Sequence, residues 1–211
     1  MKNIDNRKMV HGVILKLLMA LKKICTVHDI PFWLEYGTLL GAIRHKGFIP
    51  WDNEADVGIF REDFDRLKKI VEAELPGHIF FQTKETDPAY ESASLYIEAK
   101  LRDKYSRYKD FENRYPKHKW HNGIQVDIFI YDPVILDGVP CYINAFEKTF
   151  TRCKSYFLLE EIEFLKEIQF EGEEFFIPIG YDKYLERNYG DYMKLPPESE
   201  RIFEPAEIDL P

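Results

Sequence analysis

Cysteine is scarce in this 211-residue chain: Cys25, Cys141 and Cys153 are its three, far apart and without a CxxC pair. An odd, scattered set supports neither a disulfide framework nor a zinc finger, so the three read as reduced, packed thiols. Long apolar runs are missing too. The most apolar early stretch, Val13 to Ile24, is broken by Lys16, Lys22 and Lys23, which fits neither a membrane span nor a signal peptide and sets the expectation of a cytoplasmic protein. Positive charge is in deficit: 29 Lys and Arg stand against 37 Asp and Glu, a net −8. Tracking nucleic-acid phosphates requires clustered cations, so nucleic acid is excluded as a partner. His118 and His121 form an HxxH with nothing near to complete a ligand set, and read as solvated or hydrogen-bonding side chains. Internal repeats, low-complexity stretches and linkers between separate cores are absent as well.

What is present is a core-forming composition, 45% hydrophobic and 15% aromatic, with 16 Phe and 13 Tyr. The length suits a single domain over 1–211 with a core built on rings. Val10, Val13, Ile14, Leu17, Leu18, Leu21 and Ile24 mark one face of a helix from Asn6 to Val27. Phe32 to Tyr36 reads as a short strand, Gly37-Thr38 as a turn, and Thr38 as the cap of a helix from Leu39 to Arg44. Strands are expected at Glu54 to Phe60, His78 to Gln82, Leu95 to Arg102 and Gly123 to Ile130, with a helix from Glu62 to Leu75. Asp103 to Asn122 reads as a long functional loop and Tyr142 to Lys166 as helical. Glu171-Gly172-Glu173 reads as a hairpin turn before Phe175 to Ile179, and Tyr181 to Tyr189 as a helix closed by Gly190. Together these give an α/β (α+β) fold: a small mixed sheet flanked by helices, with a helical C-terminal part.

The chemistry concentrates in Tyr36 to Phe60, YGTLLGAIRHKGFIPWDNEADVGIF. A Gly-Thr turn at a helix start offers backbone N–H groups to a phosphate. The basic run Arg44-His45-Lys46 follows, then Asp52, Glu54 and Asp56 at steps of two. Two like charges at ~6 Å repel by about 1–3 kcal/mol at intermediate dielectric, and a divalent cation reverses that sign. Asp127, on the polar side of an otherwise apolar strand, is placed to add a third carboxylate, while Lys100 and Arg102 share the polar face of another.

The blocks GTLLGAIRHKGFIPWD, KLRDKYSRY, GIQVDIF and YGDYMKLPP, in this order and covering nearly the whole chain outside 137–174, resemble the LicD family, whose relatives include fukutin and fukutin-related protein. The resemblance implies the nucleotidyltransferase fold and transfer of a phospho-alcohol, most familiarly phosphocholine from CDP-choline, to a sugar hydroxyl. The acceptor it implies is a cell-surface glycan, such as lipopolysaccharide, teichoic acid or capsular polysaccharide, or its lipid-linked precursor, with peripheral contact at the inner face of the membrane. It places the metal, magnesium or alternatively manganese, on Glu54, Asp56 and Asp127, with Asp52 a further acid of the PWD element and Asp127 or Asp52 as proton acceptor. It gives Gly37 and Thr38 as the turn of the fold, and Arg44, His45, Lys46, Lys100 and Arg102 as basic positions for the donor's diphosphate. Where the family commonly reads WDDDID, this chain reads Trp51-Asp52-Asn53-Glu54-Ala55-Asp56. Two other readings follow: a nucleotidyltransferase that uses a nucleoside triphosphate and releases pyrophosphate, and a binding module on a decayed site. An aromatic box from Trp33, Tyr105, Tyr108 or Trp120 is a candidate holder of a quaternary ammonium, with core packing the competing role for each.

Overall fold

A computed structural model describes residues 2–87, 90, 96–108, 123–149, 156–203 and 206–208. In chain order the elements are α1 (Lys2–Val27), β1 (Trp33–Leu34), α2 (Tyr36–His45), β2 (Ala55–Phe60), α3 (Arg61–Leu67), α4 (Val71–Glu74), β3 (Ile79–Thr83), β4 (Ala99–Asp103) and β5 (Ser106–Arg107). They continue as β6 (Gln125–Leu136), β7 (Val139–Ile143), α5 (Ala145–Thr149), β8 (Tyr156–Leu158), α6 (Leu159–Ile162), β9 (Leu165–Phe170), β10 (Glu173–Pro178), α7 (Tyr181–Tyr189) and β11 (Glu207–Ile208). The principal sheet is mixed, in the order β1-β2-β6-β4-β3, with β7 and β8 continuing from the far half of β6. Only the β2–β6 pair is parallel among these; β4 runs antiparallel to β6, and β3 to β4.

The stripe of α1 is buried as its spacing predicts, with Val10, Ile14, Leu17, Leu18, Leu21 and Ile24 at most 3% exposed. It packs against β4 and β6, whose inward residues Ala99, Leu101, Val126 and Ile128 meet Ala55 and Val57 of β2. The opposite face of the same strands is divided. Near Asp56 it is polar; beyond Gly58 it becomes an aromatic cluster of Trp33, Phe60, Tyr131, Phe157 and Tyr184. Gly58 is required there, because a Cβ would lie 2.3 Å from the Trp33 indole. Trp33 is therefore core, and the aromatic-box role expected of it is corrected: its Nε1–H donates to Glu35 at 2.5 Å inside the molecule.

Several local expectations are corrected. Helix α2 starts at Tyr36, and its N-cap is Glu35, whose carboxylate accepts the Tyr36 N–H at 3.2 Å; Thr38 lies inside the first turn. The stretch from Tyr142 to Lys166, expected to be helical, holds β7, α5, β8 and α6 in its described residues, and β9 begins at Leu165. Alternating apolar and aromatic side chains there satisfy a strand face as well as a helix face, and pairing with β6 decides the outcome. The C-terminal part thus carries strands as well as helix. The expected helix over 62–75 is split into α3 and α4 by a turn at 68–70. Glu171 and Gly172, both at positive φ, form the two-residue turn of the β9–β10 hairpin, and α7 ends at Gly190 as read. Cys25 and Cys141 are buried, unbridged thiols, and burial pushes the Cys25 thiol up to about 12. Cys153, His118, His121 and Trp120 lie outside the described residues, as does most of the loop expected before Asn122.

Candidate active site on the polar face of the sheet

Strand pairing converts four separate sequence positions into one row. Asp56 of β2 is the register partner of Asp127 on β6, Asp127 is the partner of Lys100 on β4, and Lys100 is the partner of Gln82 on β3. Side chains two residues apart share a face, so a second row follows: Glu54, Gln125 and Arg102. Acids thus occupy the β2–β6 side and cations the β4 side. Lys100 and Arg102, expected on a half-exposed face, are 4% and 3% exposed.

The contacts fix each group. Lys100 Nζ donates to Asp127 Oδ1 at 2.6 Å, with both side chains buried. Gln125 Nε2 donates to Glu54 Oε2 at 3.0 Å. Arg102 donates from Nε to Gln82 Oε1 and from Nη1 to the Gly123 carbonyl, both at 2.8 Å. From the other side, the first turn of α2 presses against the acids. Thr38 Oγ1 accepts the Asp56 N–H at 2.8 Å, and the Asp56 carbonyl accepts the Glu35 N–H at 3.0 Å. A Cβ on Gly37 would lie 2.9 Å from Asp52 Oδ2 and 3.8 Å from Asp56 Oδ2, so a residue without a side chain is what lets the carboxylates meet the helix start.

Asp52, Glu54, Asp56 and Asp127 are brought together, and the electrostatics record the crowding. Burial, then the charges of Glu54, Asp127 and Asp52, hold the Asp56 carboxyl well above its ordinary range. Burial and the charge of Asp127 push Glu54 up to about 7, against the pull of Lys100 and Gln125; because the Glu54 residue stands exposed at the mouth, solvent screening weakens this rise. Asp52 is raised by burial. Burial lowers Arg102, though a guanidinium keeps its charge.

The basic run is placed differently. Arg44 and His45 form the last turn of α2 and Lys46 caps it in the left-handed region. Arg44 donates to the carbonyls of Tyr192 and Lys194 at 2.8 and 3.4 Å, and His45 meets Trp51 edge-on. Arg44 thus clasps the segment after α7, whereas Lys100 and Arg102 lie among the acids. Tyr105 is half-exposed beside His78, apart from Tyr108, so no box of the expected aromatics forms among the described residues.

Sequence reading misses Gln82, Glu35 and His11, leaves Gln125 without a role and gives Tyr108 a different one. Gln125 and Gln82 were legible from strand parity, being in phase with Asp127 and Lys100. Glu35 is fully buried beneath the helix start and raised by burial to about 7. Tyr108, 8% exposed, donates its hydroxyl to the Asn53 carbonyl, and burial with the charge of Glu54 raises it far above the ordinary tyrosine range. His11 of α1 holds the Asp52 carbonyl through Nε2 at 2.7 Å; burial lowers its pKa, which suits a neutral ring donating from that nitrogen. No local signal marks the contacts of Tyr108 and His11, which span 55 and 41 positions.

Four hard-oxygen carboxylates that repel one another suit a divalent cation. Among the described residues, however, no three His, Cys, Asp or Glu side chains converge on one point as a ready metal cage. Asp127 is turned to Lys100 and Glu54 to Gln125. The donor set therefore fits a metal in chemistry and in neighbourhood, with one oxygen each of Asp127, Glu54 and Asp52 engaged by internal partners. Clefts of about 640 Å³ beside Gly77 and Lys104, and about 510 Å³ between α1 and β10, share no residue with this face. No helix among the described residues is long and apolar enough to cross a membrane.

Comparison with known proteins adds an independent finding. The family profile described as LicD/FKTN/FKRP, nucleotidyltransferase domain, matches residues 29–179. The lipopolysaccharide cholinephosphotransferase LicD of Haemophilus influenzae is 27% identical, over 90% of this chain and 92% of that protein. The human ribitol-5-phosphate transferase FKTN is 27% identical over 86% of this chain and 33% of its own length. The human ribitol 5-phosphate transferase FKRP is 47% identical over 21% of this chain and 9% of its own. The match to the family spans β1 through β10, including every strand that carries the two polar rows, and the chain belongs to the LicD/FKTN/FKRP family.

Proposed function

We propose that this chain is a phosphotransferase that moves a phospho-alcohol group, phosphocholine or a close analogue, from a CDP-activated donor to a sugar hydroxyl of a glycan or its lipid-linked precursor. The observation that carries the reading is the division of one sheet face into acids on β2 and β6 and buried cations on β4. A diphosphate ester needs both, and family members named for transfer of choline phosphate and ribitol phosphate supply the reaction class.

In this reading Glu54, Asp56 and Asp127 hold magnesium, which when bound screens the donor's diphosphate charge. The chain's own groups do the rest. The first turn of α2, with Gly37 at its surface, presents backbone N–H groups to phosphate oxygens. Arg102, fixed by Gln82 and Gly123, offers a positioned charge on the far side. Asp52 is the acid that receives the acceptor proton: it stands against Gly37 and its pKa is raised, which suits a base working near neutral pH. In-line attack on the phosphorus bearing the alcohol releases CMP.

The test is product analysis after incubation with CDP-choline, CDP-ribitol or CTP, magnesium and a glycan acceptor. CMP formed with transfer of the head group is expected. Pyrophosphate released from CTP without CMP would establish the nucleotidyltransferase alternative, and no turnover or binding of any of the three would leave a binding module.

A further inference from the structure

We propose that Lys100 is the resident counter-ion of Asp127, a side chain that occupies the carboxylate in the metal-free protein and competes with a divalent cation for it. The inference rests on the metal reading above and concerns how that site is assembled. Its first support is geometry: the pair is in register across β4 and β6, 2.6 Å apart, with side chains 5% and 4% exposed, so water screens it little. Its second is selectivity. Asp52, Glu54 and Asp56 are in no ion pair among the described residues, although Asp52 and Asp56 crowd the same side of Gly37 and Glu54 stands two residues from each. Among the described residues, only the acid at the β6 position, next to β4, is in an ion pair. Its third is the failure of the acids to converge: the Asp127 oxygen that faces Lys100 is withheld from the others.

Arg102 cannot take over this role, because it is committed to Gln82 and Gly123 one row away. The groups facing Lys100 from neighbouring strands are Gln82 and Asp127, with Asp56 beyond. A cation that gains Asp127 therefore displaces the ammonium, and by linkage the ammonium weakens cation binding by the same factor. The benefit is that the buried carboxylate of the cluster, Asp127, is neutralised before any metal arrives.

The test is calorimetric titration of magnesium chloride, and separately manganese chloride, into the full metal-free chain and its Lys100→Gln variant, whose amide is uncharged and still a donor. Removal of the competing charge is expected to tighten binding by about tenfold or more. A second measurement needs no variant: acetylation of Lys100 by an amine reagent, followed by mass spectrometry, is expected to be slow in metal-free protein and several times faster with saturating magnesium. If the wild type binds metal and Lys100→Gln binds it equally or more weakly, or if labelling is unaffected by magnesium, the inference fails and the metal reading stands. If neither protein binds either metal, both fail.

Discussion

Asp56 and Asp127 are register partners with identical side chains and opposite circumstances. Asp127 has the Lys100 ammonium at 2.6 Å, whereas Asp56 has four other acids around it, Glu54, Asp127, Asp52 and Glu35, and a pKa held well up. Amide substitution must therefore act on stability in opposite directions. Asp127→Asn strands a buried cation, which costs on the order of 3–5 kcal/mol. Asp56→Asn removes a repelled charge and leaves metal-free stability at neutral pH equal to or above wild type. Transfer activity, by contrast, should fall by two or more orders of magnitude in both. Denaturant unfolding in EDTA, alongside the turnover assay, checks the pair; equal stability losses would show that the charge assignments are wrong. The departures at Asn53 and Glu54 belong to this scale as well. Asn53 contributes its carbonyl to Tyr108, a backbone contact that no side chain alters, while Glu54 retains a carboxylate at the acid end of the second row, held by Gln125. The loss of charge at 53 thus leaves the row structure in place.

At the scale of the element, α2 and β2 form the device that positions the acids, and small residues set the tolerances. Tyr36 is held at φ 42, an unfavourable region for a ring-bearing residue, between Phe129, Phe146 and Tyr184, with its hydroxyl accepting from Asn144. Thr38→Val is isosteric but leaves the Asp56 N–H without its acceptor, at a cost of about 1–3 kcal/mol. Gly58→Ala drives a methyl to 2.3 Å from Trp33, with at least about 2–3 kcal/mol of overpacking. Gly37→Ala crowds only the movable end of the Asp52 carboxylate and reaches Asp56 Oδ2 at an ordinary 3.8 Å, so it should spare stability and depress turnover. Urea midpoints of the three variants give the order Gly37→Ala above both Thr38→Val and Gly58→Ala; a Gly58→Ala midpoint equal to wild type would contradict the close packing. These elements also show what a sequence discloses. Parity alone placed Glu54, Asp56, Lys100, Arg102 and Asp127 on polar faces, because a two-residue period is a local property. Register is not local, so the fact that Asp56, Asp127 and Lys100 form one row was invisible. Thr38 was read as a cap because threonine is a good one; a buried glutamate three residues earlier does that work, and its burial comes from Tyr131, Tyr184 and Trp33, all fixed by tertiary packing. Residues 142–166 misled for the same reason: their strands exist only through β6 and one another.

For the whole molecule, the net −8 is unevenly held, and the buried fraction governs how stability responds to pH. Glu35, fully buried, has its carboxyl raised from 4.5 to about 7, and Asp56 is raised in the same direction. A raised acid binds its proton more tightly folded than unfolded, so its contribution is complete below the ordinary carboxylate range and is lost as pH climbs through the folded value. Asp132 runs the other way: hydrogen bonds from Arg61 hold it low, and its contribution is lost as pH falls. Metal-free protein should therefore be most stable in mildly acidic solution and lose stability between about pH 5 and 8. Glu35→Gln should flatten part of that decline, since the amide has no proton to lose. Magnesium should flatten a further part: it binds the ionised cluster, and at a hundred times its dissociation constant it adds about 2.7 kcal/mol. The measurement is thermal unfolding across pH 4.5–8.5 in EDTA and in magnesium, for wild type and Glu35→Gln. Coincident wild-type curves with and without magnesium would remove the metal from the acid cluster, and an unchanged slope in Glu35→Gln would remove Glu35 from the titration. The two contributions overlap, because the charge of Glu35 beneath the helix start is among those that raise Asp56 on the sheet above it, so the effect of magnesium on Glu35→Gln, compared with its effect on wild type, apportions them.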